Sequence, residues 1–182
     1  GKRLVKTLLA RKGATVYFLL RKESERKVPE LLEYWGTTKA RAIPVFGDLT
    51  SKKLGVAADD IKGLKGSIDA LFHLAAVYDL RADEETQIQA NVEGTRNVVE
   101  FAKAIDAKHL HHVSSIAAAG LYEGVFREDM FDEAENLDHP YFNTKHESEK
   151  IVRKESKVPW TVYRPAFVVG DSQTGEMDKI DG

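Results

Sequence analysis

Tyr141 and Lys145 stand four positions apart in the stretch Tyr141-Phe142-Asn143-Thr144-Lys145, so on a helix they share one face, one turn apart. An ammonium beside a phenol favours phenolate and lowers a tyrosine pKa that ordinarily lies near ~10, each unit being worth about 1.4 kcal/mol. A tyrosine tuned in this way can pass a proton to or from a carbonyl or alcohol oxygen. The spacing alone also occurs on helices whose tyrosine packs in a core and whose lysine meets water. The elements that surround the pair decide between these two roles.

Apolar periodicity predicts a helix over residues 1–12, with Gly13 as its stop, and a buried strand over Ala14 to Leu20. Ser24 is the expected cap of a second helix that runs to about Tyr34 and ends at Gly36. Further strands are expected over 41–46, 68–74, 109–114 and 160–164. Helices are expected over 59–64, over 84–105 as one long element, and from Tyr141 to about Lys154. Strands that alternate with helices, and are themselves nearly continuous in apolar residues, predict an α/β fold. Its sheet is parallel and doubly wound, of the Rossmann type, with helices on both faces. The chain opens inside a helical pattern and closes in a polar segment. It therefore reads as part of a longer protein: 1–170 as a dinucleotide-binding domain and 171–182 as the start of a substrate region. A sheet without its first strand is expected to expose unpaired edges and to aggregate.

In such sheets ligands bind beyond the carboxyl ends of the strands. That rule selects Arg21 and Lys22 after the first strand, Asp48 and Leu49 after the second, and Leu74, Ala75 and Ala76 after the third. It also selects Ser114 and Ser115 after the fourth, and Pro165, Ala166, Phe167 and Val168 after the fifth. Gly1 opens the first helix without a side chain, and a helix N-terminus offers free N–H groups to phosphate. An arginine after the second strand of a dinucleotide fold accommodates the NADP 2′-phosphate, where an acidic residue would bond the NAD ribose. Arg21-Lys22 therefore points to NADP(H). Asp48 suits either an adenine amino group or a plain turn. Ser115 can bond a substrate oxygen and steer it toward Tyr141. Asn91, inside the long helix, can bond a backbone segment or hold a water near Lys145. His73 reads as a packed histidine. His109, His111 and His112 alternate across a strand without a carboxylate pair, so no metal site is expected.

The 182 residues suffice for one domain with a sizeable core, and 42% hydrophobic with 31% charged residues is an ordinary globular balance. A net charge of −2 offers no basic face for nucleic acid, and the absence of cysteine excludes disulfides, thiolate metal sites and cysteine nucleophiles. No apolar run is long enough to span a bilayer. A reducing, cytoplasmic setting fits.

Jointly these pieces resemble the extended short-chain dehydrogenase/reductase family, over residues 1–170. Gly1 resembles the last glycine of that family's phosphate loop, Leu74-Ala75-Ala76 its cofactor-lining segment and Asn91 its helix asparagine. Ser115, five residues before Gly120, falls on the active-site serine position. Tyr141 and Lys145 fall on the Tyr-x-x-x-Lys pair, and 163–170 resembles the segment that wraps the nicotinamide side. Within the family, Val113 to Gly120, the Phe126-Arg-Glu-Asp129 loop and Thr174 to Asp178 look most like bacterial fatty acyl-CoA and fatty aldehyde reductases. Sugar-nucleotide dehydratases are similar but carry Asp-Glu after the active-site threonine, where Ile116-Ala117 stand here. The resemblance implies hydride transfer from NADPH to an acyl-CoA or aldehyde carbonyl, with Tyr141 as acid, Lys145 beside the nicotinamide ribose and Ser115 on the carbonyl oxygen. A sugar-nucleotide epimerase, a steroid-type dehydrogenase and a non-catalytic NADP(H)-binding regulator remain as alternatives. The expected partner is the substrate, with a second copy of the chain as a potential oligomer partner.

Overall fold

The structure, a computed structural model, describes residues 1–77, 83–168 and 170–177. Val169 and Asp178, which belong to motifs quoted above, lie outside the described residues. Among the described residues, five strands form two parallel sheets. Strand β1 (Val16–Leu20) pairs with β2 (Ala42–Phe46), and β3 (Leu71–His73), β4 (Leu110–Val113) and β5 (Trp160–Tyr163) follow in order. The pairing is in register, Leu110 lying opposite both Leu71 and Trp160. All five carboxyl ends precede the segments expected to carry the site.

Helix α1 (Lys2–Leu9) and α2 (Val28–Trp35) cover the first sheet. Their shared core gathers Leu9, Trp35 and Ala42, with Val5, Phe18 and Leu31 against it. The Phe18 ring meets Trp35 edge-on at 5.0 Å, and the Trp35 indole N–H donates to the Lys2 carbonyl at 2.9 Å. The guanidinium of Arg41 donates to the carbonyls of Leu9, Ala14 and Arg11. It thereby satisfies acceptors that the end of a helix leaves open.

Helix α2 begins later than its sequence pattern suggests. Ser24 does not cap it. Residues Lys22–Lys27 form a 3₁₀ turn instead, and Pro29 stands in the first helical turn, where its missing N–H costs nothing. Gly36 does end the helix, in the left-handed conformation with φ 60°.

The larger core lies around α3 (Ala58–Leu64), α5 (Gly94–Ala104) and α6 (Pro140–Glu155), with Leu64, Val98, Phe101, Leu110, Ile151 and Val152 at its centre. The expected long helix is three pieces in one run: α4 (Glu84–Gln87), a π turn (Ile88–Glu93) and α5. Asp83 caps it, accepting from the Thr86 N–H at 2.8 Å. No helix among the described residues is long and apolar enough to cross a membrane.

Candidate active site

Helix α6 starts where Pro140 takes its first turn and His139 Nδ1 accepts from the Tyr141 N–H at 3.1 Å. Tyr141 is therefore in the first turn, half-buried, and Lys145 one turn further in and buried. The Lys145 ammonium donates to the Val113 carbonyl at the end of β4, at 3.2 Å. That carbonyl lies two residues before Ser115. The next residue of the helix, His146, binds the Ala118 carbonyl through Nδ1 at 2.9 Å. Lys145 and His146 thus fasten α6 to both sides of the Ser115 segment.

Ser115 itself caps the 3₁₀ turn Ile116–Ala119, its hydroxyl accepting from the Ala117 N–H at 3.1 Å. It stays half-exposed. The turn ends at Gly120, with φ 65° and ψ −136°, where the chain pairs with Glu135. A Cβ at Gly120 would stand 1.9 Å from the Glu135 carbonyl oxygen, so glycine is required. Ser114 faces the other way. It is 3% exposed and its hydroxyl donates to Glu149 Oε2 at 2.8 Å.

Asn91 lies in the π turn and is 2% exposed. Its side-chain amide clamps one backbone unit: Oδ1 accepts from the Val77 N–H at 2.7 Å and Nδ2 donates to the Val77 carbonyl at 2.9 Å. Nδ2 also reaches the Thr144 hydroxyl at 3.3 Å, beside Lys145. The π turn presents Asn91 to this strand end, consistent with the placement of π turns at functional sites. Asn91 therefore ties the segment after Leu74, Ala75 and Ala76 to α6. Leu74 and Ala75 are exposed, and Ala76 is half-buried.

Burial disfavours charge on His73, His112 and Lys145 alike. Burial pushes the His73 pKa well below its ordinary value, with His112 and Lys145 adding to the effect. Burial, with Lys145 beside it, pushes His112 to about 3. His73 Nε2 pairs with the Thr95 hydroxyl at 2.9 Å. Lys145 is lowered to about 8 by burial, an effect that the charge of Glu149 opposes.

At the first sheet, Arg21 follows β1 exposed, and its guanidinium makes no hydrogen bond or ion pair among the described residues. Lys22 pairs with Glu25 at 2.6 Å and lies over the Phe46 ring. Asp48 forms a turn, its Oδ1 accepting from the Thr50 N–H at 2.8 Å and hydroxyl at 2.6 Å. Those bonds hold its carboxyl below the usual range, and the Arg21 charge adds to them. Leu49 packs on Gly94 of α5, leaving no room for a Cβ there, and its carbonyl accepts from Asn97. Gly1 is exposed ahead of α1, and its carbonyl accepts from the Val5 N–H. Pro165 is half-buried, and Ala166, Phe167 and Val168 are exposed beyond β5.

Sequence reasoning missed Glu149. Its side chain is fully buried and is held by Ser114, Arg153 and Arg164. The four-residue step from Lys145 was the available signal.

The model of the family described as "Male sterility protein" matches residues 1–182, the full chain. The chain belongs to that family, an NAD-binding branch of the extended short-chain dehydrogenases/reductases. A linear gramicidin synthase protein of Brevibacillus parabrevis is 32% identical over 196 residues, covering 100% of this chain and 4% of that protein. The aldehyde reductase lnaA of Aspergillus flavus is 30% identical over 152 residues, covering 78% of the chain and 15% of that protein. Among solved structures, the terminal R domain of the myxalamid PKS-NRPS biosynthetic pathway superposes with a TM-score of 0.80 at 29% identity. That match covers 96% of this chain and 48% of the other. The chain thus spans less than half the length of each of these relatives. The family takes a nicotinamide cofactor, and its reductase members match the fold expected from the strand–helix alternation.

Proposed function

We propose that this chain is the cofactor-binding and proton-donating part of an NADPH-dependent reductase of acyl thioesters and of the aldehydes they yield. The observation that carries the reading is the fastening of Lys145 to Val113, two residues from Ser115, with Tyr141 one turn away on the same helix. The chain's surfaces suit the cofactor. Arg21 offers an exposed guanidinium, without a hydrogen bond among the described residues, for a phosphate. The small residues Ala75 and Ala76 let a flat ring approach the backbone that Asn91 holds. Lys22, Asp48, Leu49 and Gly1 complete the adenosine side, and Pro165 to Val168 with Leu74 the nicotinamide side.

NADPH, when bound, supplies the hydride. The protein's own contribution is to the oxygen. Ser115 bonds the carbonyl oxygen and fixes its direction. Tyr141 gives its phenolic proton to that oxygen as negative charge develops there. Lys145, charged and held by Val113, stabilises the phenolate left behind and bonds the nicotinamide ribose. A thioester loses its thiol to give the aldehyde, and an aldehyde ends as the alcohol. The similarity to a gramicidin synthase protein, a PKS-NRPS terminal domain and an aldehyde reductase supports a thioester or aldehyde carbonyl over a sugar nucleotide.

The test is NADPH oxidation with an acyl-pantetheine thioester and with the matching aldehyde. Tyr141→Phe is expected to lower kcat by about 10²-fold or more on both substrates, the scale of a lost general acid. Undiminished turnover in Tyr141→Phe overturns the assignment of the acid.

A further inference from the structure

Glu149 and Lys145 are the only carboxylate and the only ammonium in the buried set among the described residues. They stand four residues apart on α6, one turn from each other on one face. Around the carboxylate, Arg164 at the end of β5 donates through Nε to Oε2 at 3.1 Å and through Nη2 to Oε1 at 2.6 Å. Arg153, one turn further along α6, donates to Oε1 at 2.8 Å, and Ser114 at the end of β4 donates to Oε2 at 2.8 Å. Arg164 reaches beyond the pair, to the Met130 carbonyl at 2.8 Å and the Arg127 carbonyl at 3.4 Å. Its guanidinium lies over the Phe126 ring.

This is more than the packing of α6 requires. A carboxylate taken wholly out of water is costly unless it is paired and bonded. Here it is given four donors from three places in the chain, and two of those places are the ends of β4 and β5, beside Ser115 and Pro165. Ser114 precedes Ser115. Arg164 precedes Pro165 and also grips the 126–130 loop.

We propose that Glu149 is a positioning residue of the reductase site, which supplies the counter-charge of the Lys145 ammonium and locks the ends of β4 and β5 to the catalytic helix. The inference rests on the reductase reading given above.

The charges that face Lys145 make the role specific. From its own helix it is Glu149, from β4 His112 and from β3 His73, with Tyr141 one turn before it on α6. Both histidines are held neutral by burial, so Glu149 is the one anion of this group. Burial alone drives Lys145 toward the neutral amine, and Glu149 opposes it. Arg153 and Arg164 in turn, with Ser114, overcome the burial of Glu149 and keep it ionised. Replacing the carboxylate by its neutral isostere keeps the shape and removes the charge. Lys145 then loses its proton at lower pH, and the phenolate left on Tyr141 loses its cation.

The experiment compares wild type, Glu149→Gln and Glu149→Asp in the pH dependence of kcat for NADPH-driven carbonyl reduction. Carbon-13 NMR titration of Lys145 accompanies it, with Lys145→Met as the assignment control. In Glu149→Gln the alkaline limb and the Lys145 titration are expected to move together to lower pH. A move of one pH unit corresponds to about a tenfold loss of the charged form on the alkaline side. Glu149→Asp, which keeps the charge, is expected to restore the limb. A purely structural glutamate would lower the melting temperature of Glu149→Gln and leave both titrations in place, and that result overturns the proposal. Should Glu149→Gln not fold, the wild-type titration decides: an amine already neutral at neutral pH overturns the proposal, and an ammonium supports it. Absence of NADPH-driven turnover of acyl thioesters and aldehydes by wild type refutes the reductase reading itself, whereas an active wild type with an unmoved Lys145 titration in Glu149→Gln refutes only the role of Glu149.

Discussion

Replacing Lys145 by methionine should stabilise the apoprotein at neutral pH while abolishing its activity. The side chain is 4% exposed, and burial lowers its pKa from 10.5 to about 8. That depression corresponds to about 3 kcal/mol of cost for keeping the charged form inside. Methionine fills a similar unbranched volume without the charge. Against the gain stands the lost bond to the Val113 carbonyl, about 1 kcal/mol. Glu149 is not orphaned, because Ser114, Arg153 and Arg164 still hold it. The balance is a gain of about 2 kcal/mol. Its pH dependence has a definite sign. Below about pH 8 folded wild type carries the charge at full cost. From there to 10.5 the unfolded chain binds more protons than the folded one, so wild-type stability rises with pH and the advantage of the variant shrinks. Urea denaturation of both proteins at neutral and alkaline pH measures the gap directly. A variant less stable than wild type at neutral pH, or a gap that does not narrow as pH rises, would refute the reasoning.

Two further outcomes follow from the geometry. Gly120→Ala forces a side chain into a left-handed φ of 65° and onto the Glu135 carbonyl, so a loss of about 3 kcal/mol or more is expected in urea denaturation. An unchanged midpoint would contradict it. Arg21→Ala should weaken NADPH by about tenfold or more, the scale of a lost charged hydrogen bond to phosphate, and leave NADH nearly unchanged by calorimetry. Equal weakening of both cofactors would remove Arg21 from the 2′-phosphate.

Much of this architecture is legible in the sequence because burial leaves a periodic mark. The runs Val16–Leu20 and Ala42–Phe46 announce strands, and Gly36 announces the end of α2. The helix that carries Tyr141 and Lys145 spans Pro140–Glu155, close to the expected range. The clamp formed by Asn91 was legible as an oddity, a short amide inside a helix, although its partner Val77 was not. Three features escaped. The start of α2 is set by Pro29 rather than by the hydroxyl of Ser24, because the intervening residues settle as a 3₁₀ turn. The π turn has no signature, since the side chains of Ile88–Glu93 suit an ordinary helix equally well. Glu149 sits among Glu147, Lys150, Arg153 and Lys154, and only the fold distinguishes the one carboxylate that turns inward. Adjacent serines pose the same difficulty. Ser114 and Ser115 alternate across the strand end, and which faces inward is decided by where Glu149 lies.

The π turn also limits how this chain can change in length. In a regular helix each residue advances the face by about 100°. The wide turn at Ile88–Glu93 lets the segment before it and α5 after it keep separate phases. Val98, Val99, Phe101 and Ala102 can therefore stay in the core while Asn91 points at Val77. Deleting one residue would let the backbone close as an unbroken α-helix with better hydrogen bonds. The same deletion would rotate one of the two faces out of place. A homologue shortened by one residue here would thus be expected to keep its core and forfeit its amide clamp, so a single-residue gap at this point in an alignment would mark a member that has given up the site.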